Sequence, residues 1–282
     1  MKTSTQLKAL IRNLSKQSGV ETEVLLRGFM MERFLERLAI SRYRDNFILK
    51  GGLLIAAMVG ISTRTTMDID ATLKGQSLSR NTLESIMTEI ANIPLNDNIR
   101  LNLCEIEEIH EEADYPGFRV SIAATLDKTR QMLKIDITTG DHVTPKEIEY
   151  GFNLMFEDRH IQLLAYNLET VLAEKLETIV TRSVANTRMR DFYDIHILTA
   201  TQPYDTDVLR TALTNTAERR GTIGQMADIM AAVEMLETSP VMASHWQRYR
   251  QKYPYAQQVS WETVTNAVKT LAVKIQAVHD LS

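Results

Sequence analysis

The chain has 282 residues, of which 44% are hydrophobic and 24% are charged, which is typical of a folded protein and excludes a disordered one. Its formal net charge of −4 gives no global positive field for nucleic acid, although a local basic patch is compatible with it. The single cysteine, Cys104, excludes an internal disulfide and a cysteine-rich zinc site, and we expect it to be a small core residue.

The N-terminal part carries two amphipathic helical patterns, over residues 5–16 and 21–40. Glu21 and Glu23 suit the first turn of the second helix, where negative charge meets the helix dipole. The first residues lack the apolar run of a signal peptide, and no window approaches the ~18 apolar residues of a membrane span. We therefore expect a cytoplasmic protein without a membrane partner.

A glycine pair, Gly51-Gly52, interrupts the helical pattern and precedes a short apolar segment, 53–59, that predicts a buried helix. Backbone N–H groups at the N-terminus of a helix can bind a phosphate group, and the helix dipole assists them. A glycine pair is also typical of a simple turn, so its meaning depends on the residues that follow.

The segment MDIDATL, residues 67–73, predicts a strand in which Asp68, Asp70 and Thr72 share one face. Two carboxylates about 7 Å apart on one face of a strand repel each other and raise each other's pKa. A divalent cation between them reverses this penalty, and Mg²⁺ (or Mn²⁺) prefers one or two carboxylates together with phosphate oxygens. The alternative is a solvated face of an edge strand.

A third acid lies in a second strand pattern. A helix over 78–94 and a strand over 99–109 are followed by a hairpin at 118–139 around the polar turn DKTR. Within it, Asp136 stands between two isoleucines on the polar face. If this strand neighbours the strand 67–73, three carboxylates converge. Such a group can hold two cations, or one cation and a general base, for phosphoryl or nucleotidyl transfer.

The pattern changes after Pro145. From about residue 160 the spacing predicts helices over the segments 160–182, 189–201, 206–220, 222–237 and 260–280. We therefore predict an α+β protein with two parts, an N-terminal mixed domain over 1–155 and an all-helical C-terminal domain over 156–282.

This order of features resembles the DNA polymerase β-type nucleotidyltransferase superfamily and, more narrowly, the AbiEii family of nucleotidyltransferase-like toxins. The matching segments are LKGG (49–52), RTTMDID (64–70), KIDI (134–137), LAEKLETIVTR (172–182) and RMRDFYDIHIL (188–198). The resemblance implies a nucleotidyltransferase-type mixed sheet with flanking helices. Gly52 stands where the wider superfamily often has serine, which removes a hydroxyl contact to phosphate and leaves the backbone contact.

The resemblance also implies roles for particular residues. Asp68, Asp70 and Asp136 would hold the metal and act in catalysis, with Lys175 and Asp191 as further catalytic residues. Nucleotide contacts are implied for Lys50, Gly51, Gly52, Arg64, Thr65, Thr66, Lys175 and Asp194. From spacing alone, the charged residues of the helical part are equally compatible with ordinary surface ion pairs. Cations that could contact RNA phosphates, with solubilising surface charge as the alternative, are Lys128, Arg130, Lys134, Arg182, Arg188 and Arg190.

The function that the resemblance implies is a metal-dependent transfer of NMP from an NTP to an acceptor hydroxyl. A tRNA 3′ end is the favoured acceptor, and a protein side chain or a small molecule is the alternative. The protein would be the toxin of a toxin–antitoxin or abortive-infection (antiviral) system, with an AbiEi-type antitoxin encoded nearby. Two other readings are an Asp-x-Asp glycosyltransferase, which the N-terminal helices disfavour, and a non-catalytic nucleotide-binding module, which the retained acids and lysine disfavour.

Overall fold

The computed structural model describes residues 3–76, 78–110 and 116–276. The chain divides into two compact units. The first is formed by Met1–Asp141 and Glu147–Ala165, and the second by His142–Lys146 and Tyr166–Ser282.

The first unit begins with helices that the sequence pattern predicts correctly. They are α1 (Ser4–Ser18), α2 (Thr22–Ile40), α3 (Gly51–Val59) and α4 (Arg80–Ala91). Ser79 is the N-cap of α4, because its side chain accepts a hydrogen bond from the backbone N–H of Thr82.

Among its described residues, the first unit contains a sheet of seven strands. They are β1 (Phe47–Lys50), β2 (Ile69–Leu73), β3 (Arg100–His110), β4 (Pro116–Leu126), β5 (Thr129–Thr139), β6 (Ile148–Asn153) and β7 (His160–Ala165). Their order is β3-β4-β5-β2-β1-β7-β6. The pairs β2–β5 and β1–β7 are parallel and the other pairs are antiparallel. The two acidic strands, β2 and β5, are therefore direct neighbours.

The predicted alternation along these strands is confirmed. Ile69, Ala71, Ile135 and Ile137 are buried to 1% exposure or less. Helix α2 packs against β5 and β7, and helix α4 packs against β3. Each large apolar side chain buried in this way stabilises the fold by about 1.5–3 kcal/mol. The alternate positions of β2 and β5 carry the polar residues, so the sheet presents these on the opposite face.

Some local predictions differ from the structure. Strand β2 begins at Ile69, so Asp68 directly precedes the strand. The hairpin turn contains only Asp127 and Lys128, because Thr129 already belongs to β5. The expectation of a core cysteine is wrong, since Cys104 is exposed on β3. The register of β3 shifts between Leu103 and Glu105, and such a bulge interrupts the alternation of faces at the cysteine.

The prediction of a helix from His160 is wrong for its first six residues. His160–Ala165 is strand β7, in which Ile161, Leu163 and Ala165 alternate as buried residues. A short alternating segment of this kind satisfies the period of a strand better than that of a helix. The predicted domain boundary after residue 155 falls between β6 and β7, which pair with each other.

The second unit confirms the all-helical prediction from Leu168 onward. Its helices in the described part are α5 (Leu168–Arg182), α6 (Met189–Thr201), α7 (Thr206–Arg219), α8 (Ile223–Met226), α9 (Ile229–Glu237), α10 (Pro240–Lys252) and α11 (Trp261–Gln276). The predicted helix 222–237 is divided into α8 and α9, and α10 was not predicted. The predicted helical residues 277–280 lie outside the described residues. Within the described ranges, no helix combines the length and apolarity that a bilayer crossing requires.

A buried carboxylate joins α2 to the turn between β6 and β7. Both carboxylate oxygens of Glu32 accept the backbone N–H of Met155, at 3.0 and 3.1 Å. Burial raises the pKa of Glu32 to about 7, although the Met155 hydrogen bond and the charge of Arg33 act in the opposite direction. Glu32 therefore titrates near neutral pH in the folded protein.

Replacing Glu32 by glutamine is expected to alter how stability depends on pH. The folded state binds more protons than the unfolded state between pH ~4.5 and ~7, so the wild-type residue lowers stability as pH rises through this window. The free energy of unfolding of Glu32→Gln should therefore exceed that of the wild type by about 1–3 kcal/mol at pH 8 and by less at pH 5. Urea unfolding at both pH values measures this. Glu23→Gln, at an exposed position of the same helix, serves as the control. A difference that does not grow with pH would refute the assignment.

Candidate active site

Strand pairing aligns charged residues in one row across five strands. The members of this charged row are Lys50 (β1), Asp70 (β2), Asp136 (β5), Arg119 (β4) and Glu107 (β3). Residues paired across strands project to the same face, with Cβ atoms roughly 5 Å apart. The two predicted carboxylates Asp70 and Asp136 are therefore side by side, and a cation flanks each of them.

Asp136 is held by an arginine that the sequence analysis did not identify. Arg119 donates from Nε to Oδ1 and from Nη2 to Oδ2, both at 2.7 Å. This two-point contact raises the pKa of Arg119, against the effect of burial, and the charges of Asp68 and Glu107 act with it. The sequence signal for Arg119 was the segment FRVSI, in which this cation stands between apolar residues of β4.

The glycine pair brings the N-terminus of α3 against Asp70. The Gly52 N–H donates to Asp70 Oδ2 at 3.3 Å. Gly51 has φ +65°, and an added Cβ would lie 2.1 Å from the same oxygen. The N-cap residue Lys50 provides no side-chain hydrogen bond to the helix, and the Asp70 carboxylate accepts from its N-terminus instead. Positive helix-dipole charge therefore lies beside the acidic pair.

Replacing Gly51 by alanine is expected to lower the free energy of unfolding by about 2–4 kcal/mol. The change combines a left-handed backbone with direct overlap of the new Cβ and Asp70. Gly19→Ala is the matched control, because Gly19 has φ +72° and nothing within 4 Å of the added Cβ. That control should lose only about 1–2 kcal/mol. Urea unfolding of both variants measures the difference, and equal losses would contradict the close approach at Asp70.

Lys50 is engaged by a fourth acid that was also missed. Its Nζ contacts Asp141 Oδ2 at 2.5 Å and donates to Thr138 Oγ1 at 2.8 Å. Thr72 and Thr138 also donate to Asp141. Asp141 lies in the loop after β5, where strand periodicity gives no signal for it. Lys50, for which a nucleotide contact is predicted, is thus a member of the charged row that also contacts Asp141 and Thr138.

Arg64, Thr65 and Thr66 lie in the segment between α3 and β2. Arg64 is only 2% exposed, and its guanidinium donates to the Thr65 carbonyl. The Thr66 hydroxyl donates to the carbonyl of Asp68 at 3.4 Å. An added Cβ on Gly52 would lie 2.8 Å from Thr66 Oγ1 and 3.2 Å from Arg64 Nη2. These residues therefore support the backbone of the glycine pair and of Asp68.

The second unit contains a buried ion cluster. Lys175 on α5 places Nζ 2.7 Å from Asp191 Oδ1 and 2.8 Å from Asp194 Oδ2, both on α6. Asp194 has 0% side-chain exposure. Burial alone would lower the pKa of Lys175, but the two carboxylates outweigh it and raise the pKa above its ordinary value. Lys175 therefore remains a cation.

The family model of the nucleotidyl transferase AbiEii toxins of type IV toxin–antitoxin systems matches residues 33–269. The chain belongs to the AbiEii family. The match includes every residue of the charged row and the Lys175 cluster. The protein is therefore a nucleotidyltransferase of a toxin family, and the family implies an antitoxin partner and an NTP substrate.

Solved structures that are similar to the chain include JHP933 from Helicobacter pylori. It shares 16% identity over 93% of this chain and 96% of that chain, with a TM-score of 0.49. An antigenic nucleotidyltransferase-like protein from Paracoccidioides brasiliensis shares 16% identity over 83% and 94% of the two chains, with a TM-score of 0.37. No curated protein matches the sequence of this AbiEii protein significantly.

The carboxylates of this AbiEii protein fit a metal only in part. In residues 3–76, 78–110 and 116–276, no group of three His, Cys, Asp or Glu side chains is arranged to hold a metal ion. Asp136 is engaged by Arg119, which donates to both of its oxygens. The half-buried pair Asp68 and Asp70 matches in number the carboxylates that Mg²⁺ prefers beside phosphate oxygens. The assignment of Asp68, Asp70 and Asp136 as metal-holding residues stays a prediction.

The predicted RNA-contacting cations lie at different depths. In the first unit, Lys128, Arg130 and Lys134 on the β4–β5 hairpin are all exposed. In the second unit, Arg188 is exposed, whereas Arg190 is half-buried and lies over the Tyr253 ring, 5.3 Å from its centroid.

Arg182 has a positive environment. Burial, and then the like charges of Arg188 and Arg220, lower the pKa of Arg182, while Asp191 opposes them. An anion would relieve this repulsion between like charges.

Proposed function

We propose that this AbiEii protein transfers NMP from an NTP to an acceptor hydroxyl with Mg²⁺ or Mn²⁺ and releases pyrophosphate. The main observation that supports this proposal is the pairing of Asp70 with Asp136 on neighbouring strands. This pair lies next to the N-terminus of α3, whose first two residues are the glycine pair. This combination offers carboxylates for a cation and backbone N–H groups for phosphate in one place.

Each part of the first unit has a role in this proposal. Asp68 and Asp70 would hold the cation together with the nucleotide phosphates. When bound, the cation would neutralise charge on the triphosphate and the leaving pyrophosphate. The N-terminus of α3 would bind phosphate oxygens through its N–H groups and dipole. Asp136 would accept the proton of the acceptor hydroxyl, which requires that Arg119 gives up one carboxylate oxygen.

The ion cluster of the second unit would act on the phosphates. Lys175 is protonated, and its ammonium is fixed by two carboxylates, so we propose that it contacts the nucleotide phosphates as a positioned cation. Asp191 and Asp194 would then orient Lys175, and Asp191 would be the essential acid of the pair. Lys50, Arg64, Thr65 and Thr66 would hold the backbone around the phosphates.

The proposed acceptor is a tRNA 3′ end. The exposed cations of the β4–β5 hairpin and the arginines at the start of α6 support a polyanionic acceptor. Contacts from such residues to phosphates would give position and not sequence specificity. We further propose that the protein acts in the cytoplasm as an antiviral toxin, and that an AbiEi-type antitoxin is encoded nearby.

Acceptor identity can be tested with each α-labelled NTP, Mg²⁺, total tRNA and total protein as competing acceptors. The expected result is label on tRNA that disappears with Asp68→Asn. Label on protein alone would move the acceptor to a side chain. Label on neither RNA, protein nor a small molecule, with any NTP, would contradict nucleotidyl transfer and favour a binding module.

Toxin action can be tested separately in cells. Induction of the wild-type chain without its antitoxin should arrest growth, whereas induction of Asp68→Asn at the same level should not. Normal growth with both proteins would contradict the toxin assignment and leave the chemistry to be judged by the labelling assay.

A further inference from the structure

The Asp136 carboxylate lies between an acidic and a basic side chain. On one side lies Asp70, whose strand pairs directly with its own, and on the other lies Arg119. Arg119 donates to both carboxylate oxygens at 2.7 Å, so a cation bound to the same carboxylate would lie close to the positive guanidinium and be repelled by it. The like-charge repulsion between Asp70 and Asp136 is thereby reduced without a metal.

The two partners differ in how easily they can move. The Asp136 side chain is 13% exposed and projects from the central strand β5, whereas the Arg119 side chain is 35% exposed. Arginine has a long side chain that can reach water while its backbone stays in the strand. An exchange of partners at Asp136 would therefore move Arg119 and leave the carboxylate in place.

We propose that Arg119 is a positioning residue that occupies Asp136 in the cation-free protein and releases it when a divalent cation binds beside Asp70. The inference rests on the proposed function, because it concerns the cation that Asp68 and Asp70 would hold. A doubly charged ion between two carboxylates competes with a singly charged guanidinium for the same oxygens. The released guanidinium stays on the face of the charged row, where a nucleotide phosphate is a matching partner.

The test is Mn²⁺ binding in the absence of nucleotide, measured by electron paramagnetic resonance on the full chain. Arg119→Gln should bind Mn²⁺ about tenfold more tightly than the wild type, equivalent to ~1.4 kcal/mol. Arg119→Lys should fall between them, because an ammonium does not reproduce the two-point contact. Arg42→Gln, which removes an exposed arginine paired with Glu89 in the same unit, should leave Mn²⁺ affinity unchanged.

A second readout separates positioning from a structural role. Without metal, Arg119→Gln should unfold at a lower urea concentration than the wild type, because Asp136 loses its partner. Saturating Mn²⁺ should raise its midpoint more than it raises that of the wild type. A structural role alone predicts the first effect without the second.

The outcomes distinguish this inference from the proposed function. Mn²⁺ binding that is sensitive to Asp68→Asn, but not tighter in Arg119→Gln than in the wild type, would overturn the role of Arg119 and leave the function standing. If neither the wild type nor Arg119→Gln showed Mn²⁺ binding sensitive to Asp68→Asn, the exchange at Asp136 would be overturned, and the metal-dependent function would fail only if such binding were also absent with a non-hydrolysable NTP present.

Discussion

Asp70→Asn is expected to lower the rate of nucleotidyl transfer by about 10³-fold or more, equivalent to ~4 kcal/mol of transition-state stabilisation. Asparagine keeps the shape of aspartate, and its amide oxygen can still accept the Gly52 N–H. It lacks the negative charge that a cation between Asp68 and Asp70 requires. Single-turnover transfer from an α-labelled NTP measures the rate, and urea unfolding confirms that the fold is retained.

The same substitution at Asp45 provides the matched control. Asp45 lies in the first unit, its side chain is 78% exposed, and its nearest basic contact is Arg44 at 3.8 Å. Asp45→Asn should therefore leave both rate and stability within error of the wild type. A rate for Asp70→Asn above a tenth of that of the Asp45→Asn control would argue against cation binding at Asp70.

Lys175→Met is expected to destabilise the protein by about 3–5 kcal/mol, because it leaves a buried carboxylate without its cation. Asp194 has no exposed side-chain area, so water cannot replace the lost ammonium without local opening. We also expect a loss of about 10²–10³-fold in transfer rate, since the proposed phosphate contact disappears. Urea unfolding and single-turnover transfer measure the two effects.

Lys269→Met is the control for this prediction. Lys269 pairs with Glu237 at 3.0 Å, but its side chain is 37% exposed and water can replace the lost contact, so the loss of stability should be far smaller than that of Lys175→Met. The double variant Lys175→Met, Asp194→Asn should regain part of the lost stability without regaining activity. Equal stability losses for Lys175→Met and Lys269→Met would refute the buried cluster, and recovery of activity in the double variant would refute the catalytic role of Lys175.

The polar face of the first unit could be predicted because polar and apolar residues alternate along each strand by itself. Asp70 and Asp136 each stand between buried apolar residues, so their shared face follows from period two alone. The adjacency of β2 and β5 is different, because it is a parallel pairing between distant segments and no local pattern specifies it. The resemblance to the family supplied this adjacency in advance of the structure.

Arg119 was missed because of the length of one turn. Leu126 pairs with Thr129 across a two-residue turn, and counting back along both strands places Arg119 opposite Asp136. A four-residue turn over DKTR shifts the register by two residues and places Arg119 opposite Thr138, where no acid would hold it. Because turn length fixes the register of a hairpin, a turn predicted to be two residues too long does not place Arg119 beside Asp136.

The other differences also have local causes. Strand β7 has only six residues, and its short alternation was overlooked beside the long helical pattern that follows it. Asp141 follows the end of β5 in a loop, where periodicity carries no information. The complete burial of Asp194 depends on tertiary packing, which the spacing of charges on one helix does not specify.

Nucleotidyl transfer is tested most directly by following α- and γ-labelled forms of the same NTP in parallel reactions with an acceptor. We predict that the α label appears on the acceptor, that the γ label appears in pyrophosphate, and that Asp70→Asn abolishes both while Asp45→Asn preserves both. Transfer of the γ label to the acceptor, or α-label transfer that survives Asp70→Asn, would contradict the account.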